Sequence, residues 1–258
     1  MIFLDCGNSQ IKAQYFQADR LQAHRLRANH LQASFACSYW VDWNHHLSRW
    51  LESHECAHAH LSSVLDHERQ AELDACLARH FGAAVTRFSS EPQALGVANG
   101  YEQPDRLGVD RWMALLGAAG MTASDCIVID AGSAITVDLL RGDGRHLGGA
   151  ILPGFNTSLE AFKGIFSHID FKHPAIADST MPGCSTEAAI QIDYSHHTTE
   201  SLPALVNRWI PLLQDDVTLL LAGGDAGRVE RLLDQKLFDQ KMHIVPDLVF
   251  RGMQRLVD

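Results

Sequence analysis

The chain has 258 residues, of which 46% are hydrophobic and 20% are charged, and its formal net charge is −10. This composition is typical of a globular protein and excludes the disordered and fibrous classes. The acidic balance argues against a nucleic-acid-binding protein, because binding to a duplex requires a basic surface. The sequence contains no run of 18 apolar residues, so we expect no membrane span.

The N-terminal segment and the cysteines favour a cytoplasmic location. The first seven residues contain an acid, Asp5, and no basic residue, unlike a secretory signal peptide. The six cysteines are widely spaced and form no CxxC pair, and a chain of this length can build a core without disulfides. We therefore expect free thiols in a reducing cytoplasm.

The first 16 residues predict a β-hairpin. An apolar strand, Ile2–Leu4, leads into turn residues from Asp5 to Ser9, and a second strand follows from Ile11 to Phe16. The same order of strand, Asp-x-Gly turn and strand returns about 125 residues later, over 127–140. This degenerate repeat with a long period predicts a duplicated domain and not a solenoid.

The segments between and after the repeats mix helical and strand patterns. Apolar residues recur near helical spacing from Trp40 to Trp50, from Leu73 to Phe81 and from Val109 to Leu116. Further segments predict strands at 60–65 and 217–222, a strand and turn at 148–154, and helices around 155–166 and 186–214. We therefore predict two α/β domains that meet at a cleft, spanning residues 1–115 and 116–258.

The two Asp-x-Gly turns are candidate phosphate sites. Glycine lets the backbone approach a ligand, and successive N–H groups in a tight turn form an anion-binding nest. Asn8, Ser9 and Ser133 can add donors, Lys12 can add positive charge, and the two turn aspartates can hold a cation. One such turn is common in ordinary hairpins, but two in corresponding places favour a phosphate role. The sequence has neither a Walker A loop nor a GxGxxG turn after a strand.

Two further segments each allow a functional and a purely structural interpretation. Asp110 and Arg111 lie at the predicted start of a helix, where Asp110 is either a general base or an acid that suits the helix dipole. Gly223 and Gly224 follow a hydrophobic strand, where they either pack flat against adenine or form a tight turn into a helix.

The residues His54, Cys56, His58 and His60 alternate along the chain, which would place them on one face of a strand. Such a face can bind zinc in principle, but structural zinc sites use separated pairs of ligands on loops. A half-exposed strand face is therefore the favoured interpretation.

Taken together, the motifs resemble those of type III pantothenate kinases. The matching segments follow the family's order across nearly the whole chain: DCGNSQIK at 5–12, GVDRW at 108–112, DAGSAIT at 130–136, GGAILPG at 148–154, GGD at 223–225 and PDLVFRGM at 246–253. The resemblance implies duplicated ribonuclease H-like domains of the acetate and sugar kinase, heat-shock protein and actin superfamily, with the nucleotide in the interdomain cleft. It also implies the first step of coenzyme A synthesis, in which ATP phosphorylates pantothenate to 4'-phosphopantothenate.

The resemblance also implies roles for individual residues. Asp110 would be the catalytic base, Asp130 would ligate a monovalent cation (potassium or ammonium), and Asp5 would hold Mg²⁺, directly or through water. The ATP-binding residues would be Asp5, Cys6, Gly7, Asn8, Ser9, Gln10, Ile11, Lys12, Ser133, Gly223 and Gly224. The pantothenate-binding residues would be Tyr101, Gly108, Val109, Asp110, Arg111 and Thr186. Members of this family are homodimers, so the resemblance implies a homodimer here.

The sequence departs from the family pattern in a few places. Ser9 and Ser133 stand where threonine is usual and keep the hydroxyl group, and Phe250 and Met253 stand where leucine is usual. Residues 156–173 lack the family's usual TAxLP stretch. Two alternatives remain open: a catalytically inactive nucleotide-responsive regulator, and an enzyme of the same superfamily that acts on another small alcohol or on polyphosphate.

Overall fold

The computed structural model describes residues 1–17, 30–39, 42–166, 182–214, 216–233 and 241–257. Trp40, which the sequence places in a helical pattern, lies outside the described residues, as does 167–173 of the stretch that departs from the family pattern. All six cysteines lie within them and are free thiols. Among the described helices, none is long and apolar enough to cross a bilayer.

The first half of the chain forms a five-stranded sheet with the order β3-β2-β1-β4-β5. The three strands β1 to β3 pair antiparallel, and β4 and β5 run parallel to β1. The strands are β1 (Ile2–Cys6), β2 (Gln10–Gln17), β3 (His30–Ser38), β4 (Ala59–Ser63) and β5 (Val85–Arg87). The helices are α1 (Trp43–Glu52), α2 (His67–Phe81) and α3 (Val109–Ala119), and a small hairpin comprises β6 (Gln93–Ala94) and β7 (Val97–Ala98).

The second half forms another five-stranded sheet, with the order β10-β9-β8-β11-β12. Its strands are β8 (Cys126–Ala131), β9 (Ala134–Leu140), β10 (His146–Pro153), β11 (Thr218–Ala222) and β12 (Met242–Ile244). Its helices are α4 (Phe155–Ile165), α5 (Thr186–Trp209), α6 (Ala226–Leu232) and α7 (Leu248–Val257). Numbered along each half, both sheets have the order 3-2-1-4-5, which confirms the predicted duplication.

Each sheet has its own hydrophobic core. In the first, side chains from one face of β1 and β4 pack with residues of α1 and α2, including Leu47 and Leu73. The carboxylate of Asp66 accepts a hydrogen bond from the Arg69 backbone N–H (2.9 Å) and so caps the start of α2. In the second, apolar residues of β8, β9 and β11 pack with those of α4, α5 and α6.

The chain divides into two compact units that differ from the two halves of the sequence. Unit 1 comprises Met1–Ala123, Leu140–Gly148 and Asp247–Asp258, and unit 2 comprises Ser124–Leu139 and Gly149–Pro246. Helix α7 belongs to unit 1 because it packs closely against α3: a Cβ atom at Gly252 would overlap the carbonyl group of Met113. Unit 1 thus contains this C-terminal helix together with residues 1–123.

Candidate active site

The turn between β1 and β2 places two charged side chains on one face of the first sheet. The Gly7 N–H donates to the Gln10 carbonyl oxygen (3.1 Å) and closes the turn. Asp5 lies directly opposite Lys12 in the antiparallel register, so the two side chains leave the same face of the sheet. Both residues are half-buried, so each keeps part of its side chain accessible to a ligand.

The residues of the segment 5–12 differ in whether their side chains are accessible to a ligand. Cys6 and Ile11 have no exposed surface and belong to the core of the first sheet. Burial and the negative charge of Asp5 raise the pKa of the Cys6 thiol well above its ordinary value, so the thiol stays neutral. Asn8 and Gln10 are exposed. The predicted ATP contacts of Cys6 and Ile11 are therefore restricted to backbone atoms.

Two neighbouring groups hold the backbone of this first turn. Arg69 Nη1 donates to the Asn8 carbonyl oxygen (3.0 Å), and the Tyr39 backbone N–H donates to the Ser9 carbonyl oxygen (3.2 Å). The guanidinium carbon of Arg69 also lies 5.3 Å from the centre of the Tyr39 ring. The turn is thus fixed through its carbonyl groups by Tyr39, which directly follows β3, and by Arg69 of α2.

The second turn, between β8 and β9, is fixed by the start of α4. The Ser133 carbonyl oxygen accepts hydrogen bonds from the Gly154 N–H (2.9 Å) and from Thr157 Oγ1 (2.6 Å). A Cβ atom at Gly154 would overlap the carbonyl groups of Gly132 and Ser133. Glycine at 154 therefore permits this close approach of two backbone segments.

Asp130 lies at the end of β8 beside Gly223. Gly223 has a φ of +86°, a conformation that side chains rarely adopt, and a Cβ atom there would overlap the Ala131 carbonyl group and crowd the Asp130 carboxylate. The half-buried carboxylate of Asp130 thus lies against a backbone segment where no side chain fits. A carboxylate oxygen in such a cradle is suited to a cation that prefers oxygen ligands.

Asp110 sits in the first turn of α3, whose N-cap is Gly108. Its carboxylate Oδ1 accepts a hydrogen bond from the Arg111 backbone N–H (2.8 Å), and a Cβ atom at position 108 would come within 2.6 Å of that oxygen. Asp110 is half-buried, whereas Val109 is buried. Glycine at 108 therefore provides the space in which the Asp110 carboxylate folds back over the helix start.

The structure brings Arg111 and Tyr101 together, as the resemblance implies. Arg111 is only 5% exposed, its Nη1 donates to the Tyr101 hydroxyl oxygen (2.6 Å), and its guanidinium carbon lies 5.4 Å from the Tyr101 ring centre. Another neighbour of the Tyr101 ring is His146, whose ring lies nearly parallel to it (15°, centres 6.1 Å apart). His146 could not be found from the sequence, because nothing in the local pattern links it to a residue 45 positions earlier.

The remaining predicted site residues lie in unit 2. Thr186 is the exposed first residue of α5, and the hydroxyl of the preceding Ser185 accepts a hydrogen bond from the Ala188 N–H (3.1 Å). Gly224 is exposed next to Gly223. The structure thus places Thr186, Ser133 and the two glycines in unit 2, and Tyr101 and the segment 108–111 in unit 1.

The histidine-rich segment does not form the predicted strand face. β4 begins at Ala59, so His60 alone of the four residues lies in a strand. The His54 ring packs on Trp50 (4.4 Å between ring centres), Cys56 Sγ donates to the His58 carbonyl oxygen (2.9 Å), and the His58 ring bonds with Thr86 Oγ1 (2.8 Å). Among the residues that the structure describes, no group of three or more potential ligands is placed to hold a metal ion.

Comparison with known proteins relates the chain to one family. The family of type III pantothenate kinases matches residues 1–207. A type III pantothenate kinase from Azotobacter vinelandii is 31% identical over 98% of this chain and 96% of its own length. One from Chromohalobacter salexigens is 38% identical over 75% of this chain and 67% of its own length.

A solved structure shares the fold. A protein described as a Baf family transcriptional activator from Campylobacter jejuni superposes with a TM-score of 0.57 at 23% identity, over 100% of this chain and 97% of its own. At that identity the likeness concerns the fold alone. The two sheets of equal strand order agree with the duplicated ribonuclease H-like fold that the sequence analysis predicts. By the match over residues 1–207 and the full-length relative, the chain belongs to the type III pantothenate kinase family.

Proposed function

We propose that this protein transfers the γ-phosphoryl group of ATP to the primary hydroxyl of pantothenate, giving 4'-phosphopantothenate and ADP as the first step of coenzyme A synthesis. Family membership supports the reaction, and one observation of this structure supports the acceptor: the buried Arg111 guanidinium held by Tyr101 beside Asp110. Pantothenate carries a carboxylate, and a guanidinium is the side chain best suited to bind one.

Asp110 is the proposed general base. The hydroxyl oxygen of pantothenate forms a bond to the γ-phosphorus, the bond from that phosphorus to the β–γ bridging oxygen breaks, and Asp110 accepts the hydroxyl proton. Asp110 lies in the first turn of α3, one residue before Arg111. The start of this helix would therefore supply both the general base and the group that binds the carboxylate of pantothenate. Gly108 and Val109 complete this segment, and Thr186 is proposed as a further pantothenate contact.

The two Asp-x-Gly turns are the proposed phosphate sites. The backbone N–H groups of the first turn, together with Asn8, Ser9 and Lys12, would donate to ATP phosphate oxygens, and Ser133 would do so from the second turn. The exposed Gly224 and its neighbour Gly223 are proposed to pack against the adenine. Because the transition state of phosphoryl transfer is loose, positioning and charge neutralisation account for most of the rate.

The residues present fit two cations. Asp5 would hold Mg²⁺, directly or through water, and Asp130 in its glycine-lined cradle would hold potassium or ammonium. When bound, these ions supply positive charge beside the phosphate groups of ATP. We further propose a homodimer in a reducing cytoplasm, in line with the family resemblance and the six free thiols.

Substitution of Asp110 tests the proposed base. Because general-base catalysis typically contributes 10²–10⁴-fold, we expect Asp110→Asn to lower kcat at least about a hundredfold while the protein stays folded. The matched control is Asp105→Asn, an exposed acid in the 3-10 helix just before α3, which should keep kcat within about twofold of the unchanged protein.

The measurement is the rate of 4'-phosphopantothenate formation at saturating ATP and pantothenate, with circular dichroism to verify the fold. A folded Asp110→Asn variant with near-normal turnover would remove Asp110 from the mechanism.

A further inference from the structure

The loop that carries Tyr101 rests on the turn between β9 and β10. The Ala98 N–H donates to the Gly144 carbonyl oxygen (2.9 Å), and Ala98 forms an isolated bridge with Arg145. Gly144 has a φ of +88°, and a Cβ atom there would overlap the carbonyl group of Gly96. All of these residues belong to unit 1, so the turn at 141–145 forms a fixed support for the loop.

His146, directly after this turn, contacts the loop at Gly100 and Tyr101. Its side chain is 3% exposed, and its Nδ1 accepts a hydrogen bond from the Gly100 backbone N–H (3.3 Å). A Cβ atom at Gly100 would overlap the carbonyl group of His146, so the two backbones are in direct contact. Since Nδ1 accepts, the ring nitrogen that carries a proton is Nε2. The same ring stacks on Tyr101. His146 thus contacts both the backbone before Tyr101 and its ring.

The rest of the loop is closed locally by Asn99. Its Oδ1 accepts from the Tyr101 N–H (3.0 Å), and its Nδ2 donates to the carbonyl oxygens of Glu91 (3.2 Å) and Pro104 (3.1 Å). These bonds fold the loop on itself but do not attach it to the strands. The attachment at the level of Tyr101 comes from His146.

We propose that His146 is a positioning residue for the pantothenate site. It fixes the Gly100 backbone and the Tyr101 ring, and through the Tyr101 hydroxyl it fixes the guanidinium of Arg111. This inference rests on the proposed function. The carboxylate of pantothenate does not react, so its contacts contribute equally in the ground state and the transition state. Their loss raises KM for pantothenate and leaves kcat nearly unchanged.

Two substitutions separate the hydrogen bond from the stacking. His146→Phe keeps a ring beside Tyr101 but leaves the Gly100 N–H without the acceptor that His146 Nδ1 provides. We expect it to raise KM for pantothenate about tenfold, with kcat changed less than about threefold and KM for ATP less than about twofold. His146→Asn places an amide oxygen near the position of Nδ1. We expect it to restore KM to within about threefold of the unchanged protein.

A second readout is independent of catalysis. Exchange of the Gly100 amide hydrogen, followed by NMR, should be at least about tenfold faster in His146→Phe than in the unchanged protein and should be restored in His146→Asn. The control is His60→Phe, which replaces another buried histidine, one that stacks between Phe3 and Phe88, and should change neither KM for pantothenate nor this exchange rate. If His146→Phe does not fold, His146→Leu, which also lacks the acceptor, replaces it.

The outcomes are distinguishable. Faster exchange together with the raised KM supports the proposal, whereas an unchanged exchange rate, or faster exchange with an unchanged KM, overturns it. If the unchanged protein does not phosphorylate pantothenate, the proposed function fails, and with it the role of His146 in pantothenate binding. The exchange experiment then still decides whether His146 fixes the loop.

Discussion

The two Asp-x-Gly turns share a strand, turn and strand but have different neighbours. In unit 1, the strand next to β1 places Ser62 beside Asp5, and Ser63 follows with its hydroxyl bonded to the Gln70 side chain (2.7 Å). In unit 2, the corresponding strand places Ala222 beside Asp130, and Gly223 follows with its positive φ. On this side the first aspartate therefore neighbours residues with hydroxyl side chains, whereas the second neighbours an alanine and a glycine.

This difference suggests different tasks for the two carboxylates. Asp5 lies opposite the basic Lys12. This fits the proposal that Asp5 holds Mg²⁺ while Lys12 neutralises the phosphate groups of ATP. Asp130 lies against Gly223, where a Cβ atom would crowd the carboxylate oxygen, which fits its proposed role as the ligand of one monovalent cation. We therefore propose that duplication supplies the same turn twice and that the neighbouring strand determines how each turn is used.

The largest expected difference concerns catalysis. Asp5→Asn should lower kcat about a hundredfold in any salt, because the carboxylate proposed to hold Mg²⁺ beside the phosphates loses its charge. Asp130→Asn should lower the rate about tenfold in potassium and remove the difference between potassium and sodium. Initial rates of ADP formation in the two chlorides measure both effects. An Asp130→Asn variant that keeps the potassium preference of the unchanged protein would contradict the assignment of the cation site.

The next difference concerns stability. Gly223→Ala should lower the free energy of unfolding by about 2–3 kcal/mol, because the new Cβ overlaps the Ala131 carbonyl and the φ of +86° is strained for alanine. Gly7→Ala, in the first turn, should cost less than about 1 kcal/mol, because its Cβ would meet only the Gln10 carbonyl oxygen, at 3.8 Å. Urea unfolding of the two variants measures both. Equal losses would show that backbone packing does not distinguish the turns.

The smallest expected difference concerns the response of the first sheet to acid. His60 of β4 lies opposite Phe3 of β1. At the corresponding pair in unit 2, the apolar Leu220 of β11 lies opposite Val128 of β8. Burial, followed by the charges of His58 and the N-terminus, lowers the pKa of His60 to about 4. In the unfolded chain His60 binds a proton near pH 6.5, whereas in the folded protein it does so only near pH 4. The stability that the neutral His60 contributes is therefore complete above pH 6.5 and is lost as the pH falls toward 4.

His60→Phe should therefore reduce the loss of stability between pH 7 and pH 4 by roughly 2 kcal/mol. The same measurement on His45→Phe, an exposed histidine of α1, provides the control and should leave the loss unchanged. Urea midpoints at both pH values give the comparison. Parallel pH profiles for the His60→Phe variant and the unchanged protein would show that His60 does not carry the acid sensitivity.

Much of the fold could be predicted because its signals are local. An apolar strand, a turn rich in aspartate and glycine, and a second strand occur within 16 residues, and the repeat over 127–140 identifies the duplication. The start of α3 at Val109 follows from apolar spacing in the same way. The alternating residues from His54 to His60 were misleading, because alternation also occurs in a loop, where it has no structural meaning.

The parts of the site that could not be predicted depend on long-range contacts. His146 reaches Gly100 through the packing of a turn on a loop, and α7 returns to unit 1 through glycines that let two helices touch. Neither contact leaves a periodic pattern in the sequence. The Gly223 motif was recognised, but its close approach to Asp130 depends on the pairing of β11 with β8. Motifs therefore predict the candidate reacting groups, while the groups that support them could be found only in the structure.

The proposed reaction is tested most directly by ADP release from the purified protein with ATP and Mg²⁺, in the presence and absence of pantothenate, in potassium and then in sodium. We expect release that requires pantothenate and is faster in potassium. Folded protein that binds ATP but shows no pantothenate-dependent release in either salt would contradict the account. It would point instead to another acceptor or to a nucleotide-responsive regulator.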